Sequence, residues 1–378
     1  MTSKIRVGVI FGGRSGEHEV SVRSARAVIE SFDRAKYEVV PLNISKEGRW
    51  LSPAESAALL PESARGLLSQ NVSGDGEALT IVGDPSRRGL HRLESVGGGG
   101  ASAQGLDVVF PVMHGTYGED GTIQGLLEMA GLPYVGCGVL ASSCGMDKAT
   151  MKALFREAGL PICKHVWFLR GDWERDPERV LARVESEIGY PCFVKPANLG
   201  SSVGISRASD AETLVRAVNL AAGYDRKVIV EEGLDAREIE CAVMGNDEPE
   251  ASLPGEYVVH DEQAKFLDYT EKYSSTGHVE FVVPAPIPKR LAERVRRMAA
   301  RAFKAIDGSG FARVDFFLRR DNGKLLINEL NTIPGLTDVS GFPKMWEASG
   351  VPFSEVLDRL VELAFERHAE KSRNLTSI

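Results

Sequence analysis

The stretch that decides the fold lies at residues 312–335 and reads "ARVDFFLRRDNGKLLINELNTIPG". Two runs of β-prone side chains, at 314–318 and 325–327, flank the tripeptide Asp-Asn-Gly at 321–323. A three-residue loop with glycine in the left-handed conformation is a common closure for a β-hairpin. The stretch therefore predicts a hairpin that is closed by residues 321–323.

Four polar residues interrupt this apolar pair of strands, namely Arg313, Asp315, Glu329 and Asn331. In the predicted register Asp315 faces Glu329 and Arg313 faces Asn331, and because side chains alternate along a strand, all four point to one face. Two carboxylates that face each other repel unless a cation lies between them. One interpretation is a solvated outer face on which Arg313 offsets the acids. The other is a site for Mg²⁺ or Mn²⁺, which prefer oxygen ligands; Mg²⁺ often holds substrate phosphates as well.

Composition limits the classes of protein to consider. The chain has 378 residues, of which 43% are hydrophobic and 26% charged, and its net charge is −8. This length predicts two or three domains with substantial cores, and the negative charge argues against a nucleic-acid partner. No apolar run approaches the ~20 residues that span a membrane. The N-terminal "MTSKIRVGVIFGG" is typical of a first strand and not of a signal peptide.

The cysteines indicate the cellular compartment. Cys137, Cys144, Cys163, Cys192 and Cys241 are odd in number, scattered along the chain and form no CxxC motif. This usage predicts reduced thiols, mostly buried as small apolar residues, and hence a cytoplasmic protein.

The N-terminal part has the order of an open parallel α/β sheet. A strand over "IRVGVIF" leads through "GGRSGEHEVS" into a helix over "VRSARAVIESF", and a second strand follows over "YEVVPLNIS". Residues 51–105 mix Ala, Ser and Gly and are predicted to be a surface insertion, after which "LDVVFPVMHG" resumes the sheet. The predicted domains are residues 1–140, a central domain at 141–234 and a C-terminal domain at 235–378.

The central domain contains the strongest sign of phosphate binding. Lys195 ends the apolar strand of "FVKPANLGSSVGIS", and backbone amides of a Gly/Ser loop can cradle phosphate oxygens, although this is not a Walker A sequence. The alternative interpretation is a simple flexible hairpin. Lys148, in "GMDKATM", is a weaker candidate for a phosphate contact. The end of "VIVEEGL", at residues 231–234, is a weak candidate for a hinge that offers backbone groups to adenine.

Two glycine-rich turns carry candidate substrate contacts. In "FGGRSGEHEVS", Glu17 and Glu19 occupy the place where a phosphate would bind, so an ammonium group is the more suitable ligand; the alternative is that they only stabilise the helix dipole. In "MHGTYGEDG", His114 follows an apolar strand and precedes two glycines, which favours a functional histidine over a structural one. The long loop at 261–277 is either a lid over a ligand or a mobile surface loop.

Taken together, these motifs resemble those of the D-alanine–D-alanine ligases, which belong to the ATP-grasp superfamily. The resemblance covers nearly the whole chain and follows the family's order: "GGRSGEHEVS", "HGTYGEDGTIQG", "MDK", "VKPANLGSSVG", "EKY" and "ARVDFFL" with "NELNTIPGLTDVSGFP". Each motif alone is only suggestive, whereas the ordered set is highly specific; residues 51–105 match least. The resemblance implies an α/β protein in which an ATP-grasp fold is preceded by an open parallel α/β N-terminal domain.

The resemblance also implies a reaction. ATP converts the carboxylate of one D-alanine into an acyl phosphate, and the amine of a second D-alanine attacks it to give D-alanyl-D-alanine, ADP and phosphate for peptidoglycan precursor synthesis. ATP as a substrate, two Mg²⁺ or Mn²⁺ ions and a homodimer are implied with it. Phosphoryl transfer depends on positioning and charge neutralisation, in agreement with the absence of an obvious Ser/His/Asp or Cys/His pair in the sequence.

Roles for individual residues follow from the resemblance at matching positions. The metal ligands are Asp315, Glu329 and Asn331, while Arg313 and the backbone at Gly335 stabilise the acyl phosphate and the oxyanion formed from it. The ATP-binding residues are Lys148, Lys195, Ser201, Ser202, Glu231, Glu232, Leu234 and Glu238.

The two D-alanine molecules have their own set of implied contacts. Glu17 meets the ammonium group of the first and His114 its carboxylate side, and Lys272 and Ser340 hold the carboxylate of the second. Ser201, Tyr273 and Glu17 form a hydrogen-bonded triad that latches the lid.

Two other functions remain as alternatives. One is a different ATP-grasp carboxylate–amine ligase or a ligase that makes D-alanyl-D-lactate, although D-alanine-specific members carry a Lys-Tyr pair that matches Lys272 and Tyr273. The other is a nucleotide-binding regulatory module without turnover, which is disfavoured by the intact set of Arg313, Asp315, Glu329 and Asn331.

Overall fold

A computed structural model describes residues 4–66, 68, 79–87, 89–92, 105–200, 203–259 and 279–375. The predictions for Ser201, Ser202, Lys272, Tyr273 and the loop at 261–277 lie outside the described residues. In the described ranges, no helix has the length and apolar content needed to cross a membrane. All five cysteines are free thiols, and four of them are buried.

Three parallel strands form the N-terminal sheet. Strand β1 (Ile5–Gly12) pairs with β2 (Tyr37–Ile44) on one side and with a later strand, Val108–Val112, on the other. Helix α1 (His18–Ser31) packs against this sheet through its buried apolar stripe. The predicted open parallel α/β arrangement is confirmed. The helix begins earlier than predicted, so Glu17 stands at its N-terminus.

The segment at 51–105 is more than a surface insertion. It contains the short helices α2 (Pro53–Ala58) and α3 (Glu62–Arg65) and an antiparallel pair, β3 (Leu79–Ile81) with β4 (Leu90–Arg92). Apolar residues of this segment are buried on both faces of the N-terminal sheet, namely Leu60, Ala64, Ile81 and Leu90. The prediction of a surface insertion is wrong for these four buried residues. A few apolar side chains among many small and polar ones give no periodic signal in the sequence.

Three helices follow strand β5 (Val108–Val112). They are α4 (Thr122–Met129), α5 (Val139–Met146) and α6 (Lys148–Glu157). Met151 and Phe155 of α6 are buried together with Val314 and Phe316 of the C-terminal sheet. The domain limits stay a prediction, and α6, which they assign to the central domain, shares its core with the C-terminal one.

The central sheet has four antiparallel strands in the order β6-β9-β7-β8. Their bounds are β6 (His165–Leu169), β7 (Cys192–Pro196), β8 (Ser206–Ala208) and β9 (Lys227–Glu232). Its helices are α7 (Arg170–Arg175), α8 (Pro177–Glu187) and α9 (Ala211–Tyr224). Strands β7 and β8 are the predicted pair on either side of the Gly/Ser loop.

The C-terminal sheet has six strands, in the order β13-β12-β10-β14-β15 with β11 paired to β10. Their bounds are β10 (Ala236–Gly245), β11 (Glu250–Ala251), β12 (Gly255–Val259), β13 (Val279–Val282), β14 (Gly310–Arg319) and β15 (Leu325–Asn331). Its helices are α10 (Lys289–Ala305), α11 (Gly341–Ala348) and α12 (Phe353–Lys371).

Strands β14 and β15 form the predicted hairpin, and its register at the polar residues is confirmed. Asp315 pairs with Glu329 and Arg313 with Asn331. The loop is one residue longer than predicted, because the amide of Arg319 donates to the carbonyl of Lys324 at 3.0 Å and leaves residues 320–323 outside the ladder. A β-bulge that leaves one extra residue on β15 compensates for this difference before the polar residues are reached.

Candidate active site

The polar face of the hairpin is a charged, largely buried surface. Arg313 donates from Nε and Nη2 to the two carboxylate oxygens of Asp315, at 2.7 and 2.6 Å, and Asn331 donates from Nδ2 to Asp315 at 3.1 Å. On the other side of β14, Glu240 pairs with Asp315 across the sheet and lies 3.4 Å from Arg313 Nε. The side chains of Arg313 and Asp315 are only 16% and 13% exposed, so the interpretation as a solvated outer face is wrong.

Glu329 keeps its charge at this site. It lies 3.3 Å from Lys148 Nζ. Burial alone raises the pKa of the Glu329 carboxyl, but the fields of Lys148, Lys195 and Arg313 outweigh burial and lower it to about 2. The side chain is therefore a carboxylate at neutral pH and is able to bind a cation.

Lys148 and Lys195 meet at the Gly/Ser loop from different elements. Asp147 caps helix α6 by accepting from the amides of Ala149 and Thr150, which places Lys148 in the first turn. Lys148 Nζ donates to the carbonyl of Leu199 at 2.8 Å.

Lys195 projects from β7 and forms a 2.7 Å ion pair with Glu231 of β9. Both it and Lys148 are buried. Two ammonium groups beside a loop of backbone amides form a surface that can take up polyanionic phosphates.

Glu231 is held on both of its carboxylate oxygens. Oε2 pairs with Lys195, and Oε1 pairs with Lys152 at 2.9 Å. Although burial raises its pKa, the two lysines dominate and hold the carboxyl ionised. Glu232 accepts from the amide of Lys164 at 2.7 Å, and its own amide donates to the carbonyl of Lys164 at 3.1 Å. The roles of residues 231–234 and of Glu238 stay predictions.

Glu17 lies where three glycine-containing loops converge. A methyl group added at Gly115 would lie 2.6 Å from Glu17 Oε2, and one added at Gly200 would lie 2.9 Å from the same atom. The structure thus brings the loop that contains Gly200, from the central domain, onto the N-terminal domain at Glu17. Glu19, the second acid of this motif, points away; its side chain is 72% exposed and pairs with Lys46 at 2.8 Å.

His114 joins the N-terminal domain to the segment after β15. Its Nδ1 lies 3.0 Å from the carbonyl of Ile333 and its Nε2 3.0 Å from Ser24 Oγ. Since a carbonyl only accepts, Nδ1 carries the proton and Ser24 donates to Nε2. Burial lowers the pKa of His114 despite the opposing field of Glu17, so the ring is neutral. A direct contact with a substrate carboxylate through either nitrogen would break one of these bonds.

The structure also describes the two residues that were predicted at the C-terminal end of the site. Gly335 is half-buried in the segment between β15 and α11. Ser340 is buried, and its Oγ lies 2.6 Å from Thr337 Oγ1 and accepts from the amide of Thr337 at 3.2 Å. The hydroxyl is thus fixed within its own turn.

Comparisons with known proteins agree with this geometry. The family models described as D-ala D-ala ligase N-terminus and D-ala D-ala ligase C-terminus match residues 6–137 and 154–362. A D-alanine–D-alanine ligase of Heliobacterium modesticaldum is 48% identical over 373 residues, which are 99% of this chain and 98% of that protein. The chain belongs to the D-alanine–D-alanine ligase family.

Solved structures place it in the same family. The D-alanine–D-alanine ligase of Coxiella burnetii is 36% identical, with a TM-score of 0.80 over 98% of this chain and 96% of the other. VanG, a D-Ala:D-Ser ligase of Enterococcus faecalis, is 35% identical, with a TM-score of 0.81 over 96% of this chain and all of its own. These neighbours confirm the predicted fold class.

Three charged residues of this D-alanine–D-alanine ligase family member escaped the sequence analysis. Lys152 and Glu240 were hidden because a lysine on an amphipathic helix and an acid in a strand look like surface residues. Glu119 lies within a quoted motif, but its role depends on tertiary contacts. Its oxygens accept from the amides of Gly115 at 2.7 Å and Ile333 at 3.2 Å, and burial together with the charge of Glu17 raises its pKa to about 8.

Replacing Gly200 with alanine tests the approach of its loop to Glu17. The new methyl group would displace the Glu17 carboxylate, so we expect kcat/KM for D-alanine to fall by about 10- to 100-fold, with little change in melting temperature because the clash is with the end of a flexible side chain. Gly171→Ala is the matched control, since a methyl group there meets nothing within 4 Å. Unchanged kinetics of Gly200→Ala in a steady-state assay would contradict this contact.

Proposed function

We propose a division of roles among these residues in the reaction of the family, the ATP-dependent ligation of two D-alanine molecules to D-alanyl-D-alanine. The protein is an ATP-dependent ligase, and its product is a precursor for peptidoglycan synthesis. The observation that carries the assignment is the row of carboxylates on the hairpin face beside two buried lysines. Such a surface neutralises phosphate charge and needs no protein nucleophile.

The donor set on the hairpin face fits a hard divalent cation. Asp315, Glu329 and the amide oxygen of Asn331 would hold Mg²⁺ or Mn²⁺, two ions in total as in the family. Mg²⁺ is commonly bound by one or two protein carboxylates and keeps waters and substrate phosphates among its other ligands, so this small set of donors is sufficient for it. The ions would supply charge neutralisation for the transferred phosphoryl group.

ATP would lie between the central and C-terminal sheets. Lys148 and Lys195 bind its phosphates, and the Gly/Ser loop with Ser201 and Ser202 covers them. The backbone of residues 231–234, which includes Glu231, Glu232 and Leu234, holds adenine, and Glu238 holds the ribose.

The D-alanine molecules would be held from three sides. Glu17 accepts from the ammonium group of the first. His114 acts on its carboxylate side by fixing Ile333 and hence the segment that leads to Gly335. Lys272 and Ser340 hold the carboxylate of the second, and Tyr273 with Ser201 and Glu17 latches the lid, which excludes water from the acyl phosphate.

Arg313 and Gly335 would stabilise the negative charge that develops on the acyl phosphate and on the tetrahedral oxyanion. Arg313 is already oriented by its two bonds to Asp315. A guanidinium held in this way needs no reorganisation during the reaction.

A phosphate-release assay tests this function most simply. With ATP and Mg²⁺, we expect phosphate to appear only when D-alanine is added, in a one-to-one ratio with the dipeptide. Phosphate release that is equal with and without D-alanine would contradict the ligase assignment, and no release in either case would favour the regulatory module.

A second candidate function differs from the first in the identity of the second substrate. The likeness to a D-Ala:D-Ser ligase, at 35% identity, makes D-serine a competitor for that position. D-lactate is a further competitor. We retain D-alanine because of the Lys272–Tyr273 pair.

We also propose that the protein is a cytoplasmic homodimer. The five free cysteines support a reducing compartment. The dimer is proposed by analogy with the family, and light scattering on the purified protein tests it.

A further inference from the structure

Lys152 is a lysine whose ammonium group lies inside the protein. Only 1% of its surface is exposed. Its Nζ pairs with Glu231 Oε1 at 2.9 Å and donates to the carbonyl of Asn328 at 2.8 Å and to Cys163 Sγ at 3.5 Å. Removal of an ammonium group from water is costly unless acceptors replace the water. Here the acceptors come from three separate segments of the chain, so Lys152 ties them together.

The first of these contacts connects Lys152, through Glu231, to Lys195. One carboxylate oxygen of Glu231 forms an ion pair with Lys152 at 2.9 Å, and the other forms an ion pair with Lys195 at 2.7 Å. A carboxylate held at both oxygens has a single orientation. Lys152 therefore sets the position of the anion that in turn holds the ammonium group of Lys195.

The second contact connects Lys152 to the β-bulge beside Glu329. Phe316 pairs with Ile327 and Asp315 with Glu329, so Asn328 is the extra residue of β15. The carbonyl of this extra residue accepts from Lys152. Because a register slip of one residue turns a side chain to the opposite face of a sheet, the bulge is what directs Glu329 toward Asp315.

We propose that Lys152 is a positioning residue that fixes Lys195 and Glu329 relative to each other. It joins the central sheet, through Glu231, to the C-terminal sheet, through Asn328, at the point where ATP phosphates and metal would lie. The inference rests on the proposed roles of Lys195 and Glu329, and it predicts that loss of Lys152 weakens nucleotide and Mg²⁺ binding rather than binding of D-alanine.

The test uses the full-length protein with Lys152→Met, which keeps the aliphatic bulk and removes the charge. A second variant, Lys152→Met/Glu231→Gln, also neutralises the buried carboxylate that Lys152→Met deprives of one of its two lysines, and Glu231→Gln alone shows how much of any loss comes from that second change. Lys324→Met, on the exposed hairpin loop, is the control. We would measure binding of the non-hydrolysable ATP analogue AMP-PNP with Mg²⁺ by calorimetry, KM for ATP and for D-alanine, the Mg²⁺ concentration for half-maximal rate, and the melting temperature.

In Lys152→Met we expect AMP-PNP affinity to fall by about tenfold or more, as for other residues that orient a direct ligand. The Mg²⁺ requirement should rise, while KM for D-alanine stays near that of Lys324→Met. A folded Lys152→Met with wild-type affinity for AMP-PNP and Mg²⁺ would overturn the proposal, and so would a folded double variant that binds both no more weakly than Glu231→Gln alone. So would loss of folding in both variants, since Lys152 would then serve only the core. Lys195→Met separates the proposal for Lys152 from the proposed role of Lys195. If Lys195→Met binds AMP-PNP normally, the proposed role of Lys195 itself is wrong.

Discussion

Replacement of Glu329 with glutamine is expected to lower turnover by about 10³-fold while the protein stays folded. Glutamine has nearly the same shape but lacks the charge that Lys148 and Lys195 stabilise at this position. A neutral amide oxygen binds Mg²⁺ more weakly than a carboxylate does, so the developing charge on the transferred phosphoryl group would lose part of its neutralisation. The melting temperature should fall by several degrees, because the favourable fields of Lys148 and Lys195 on the carboxylate are lost, but the protein should stay folded because the apolar core is unchanged.

The control for this substitution is Glu347→Gln, on the exposed surface of α11. Rates would be measured over a range of Mg²⁺ concentrations. Near-normal turnover of Glu329→Gln at ordinary Mg²⁺ would rule out the hairpin face as the metal site.

Replacement of Arg313 with lysine should lower turnover by about 10²-fold although the charge is kept. Lysine cannot make the two parallel bonds by which Arg313 is fixed on Asp315 at 2.7 and 2.6 Å. An ammonium group on a flexible stem would therefore lie away from the oxyanion, and Asp315 and Glu240 would lose a shared partner.

The same strand offers a matched control for the arginine. Arg319 makes an equivalent pair of bonds to Asp321, two residues on, but this pair lies at the exposed end of the hairpin. Arg319→Lys should leave the rate unchanged. Equal rates for Arg313→Lys and Arg319→Lys would show that Arg313 only stabilises the sheet.

The hairpin register was predictable because it depends on local signals. Alternation places Arg313, Asp315, Glu329 and Asn331 on one face, and Gly323 has the left-handed conformation that the turn requires, with φ of +67°. The exact loop length was not predictable. The β-bulge places an extra residue at Asn328, and the carbonyl of Asn328 accepts from Lys152 of a distant helix.

The buried charges were the least visible part of the site in the sequence. Lys152 and Glu231 look like surface residues when each is considered alone, since charged side chains are seldom buried unless they are paired. Lys152 of α6 and Glu231 of β9 meet only in the folded protein. No pattern within either segment predicts their contact. The same holds for His114, whose tautomer is fixed by Ile333 and Ser24 and whose pKa is lowered by burial.

The central claim, that the protein joins D-alanine to D-alanine, is tested most directly by a competition experiment. The enzyme would receive ATP, Mg²⁺ and equal concentrations of D-alanine, D-serine and D-lactate near neutral pH, and the products would be separated and quantified. We predict mainly D-alanyl-D-alanine. D-lactate lacks the ammonium group for which the site is built and would leave polar groups unpaired. D-serine carries that group, and the prediction against it follows from the 48% identity to a D-alanine–D-alanine ligase. A mixture that consists mostly of D-alanyl-D-lactate or D-alanyl-D-serine would contradict the claim.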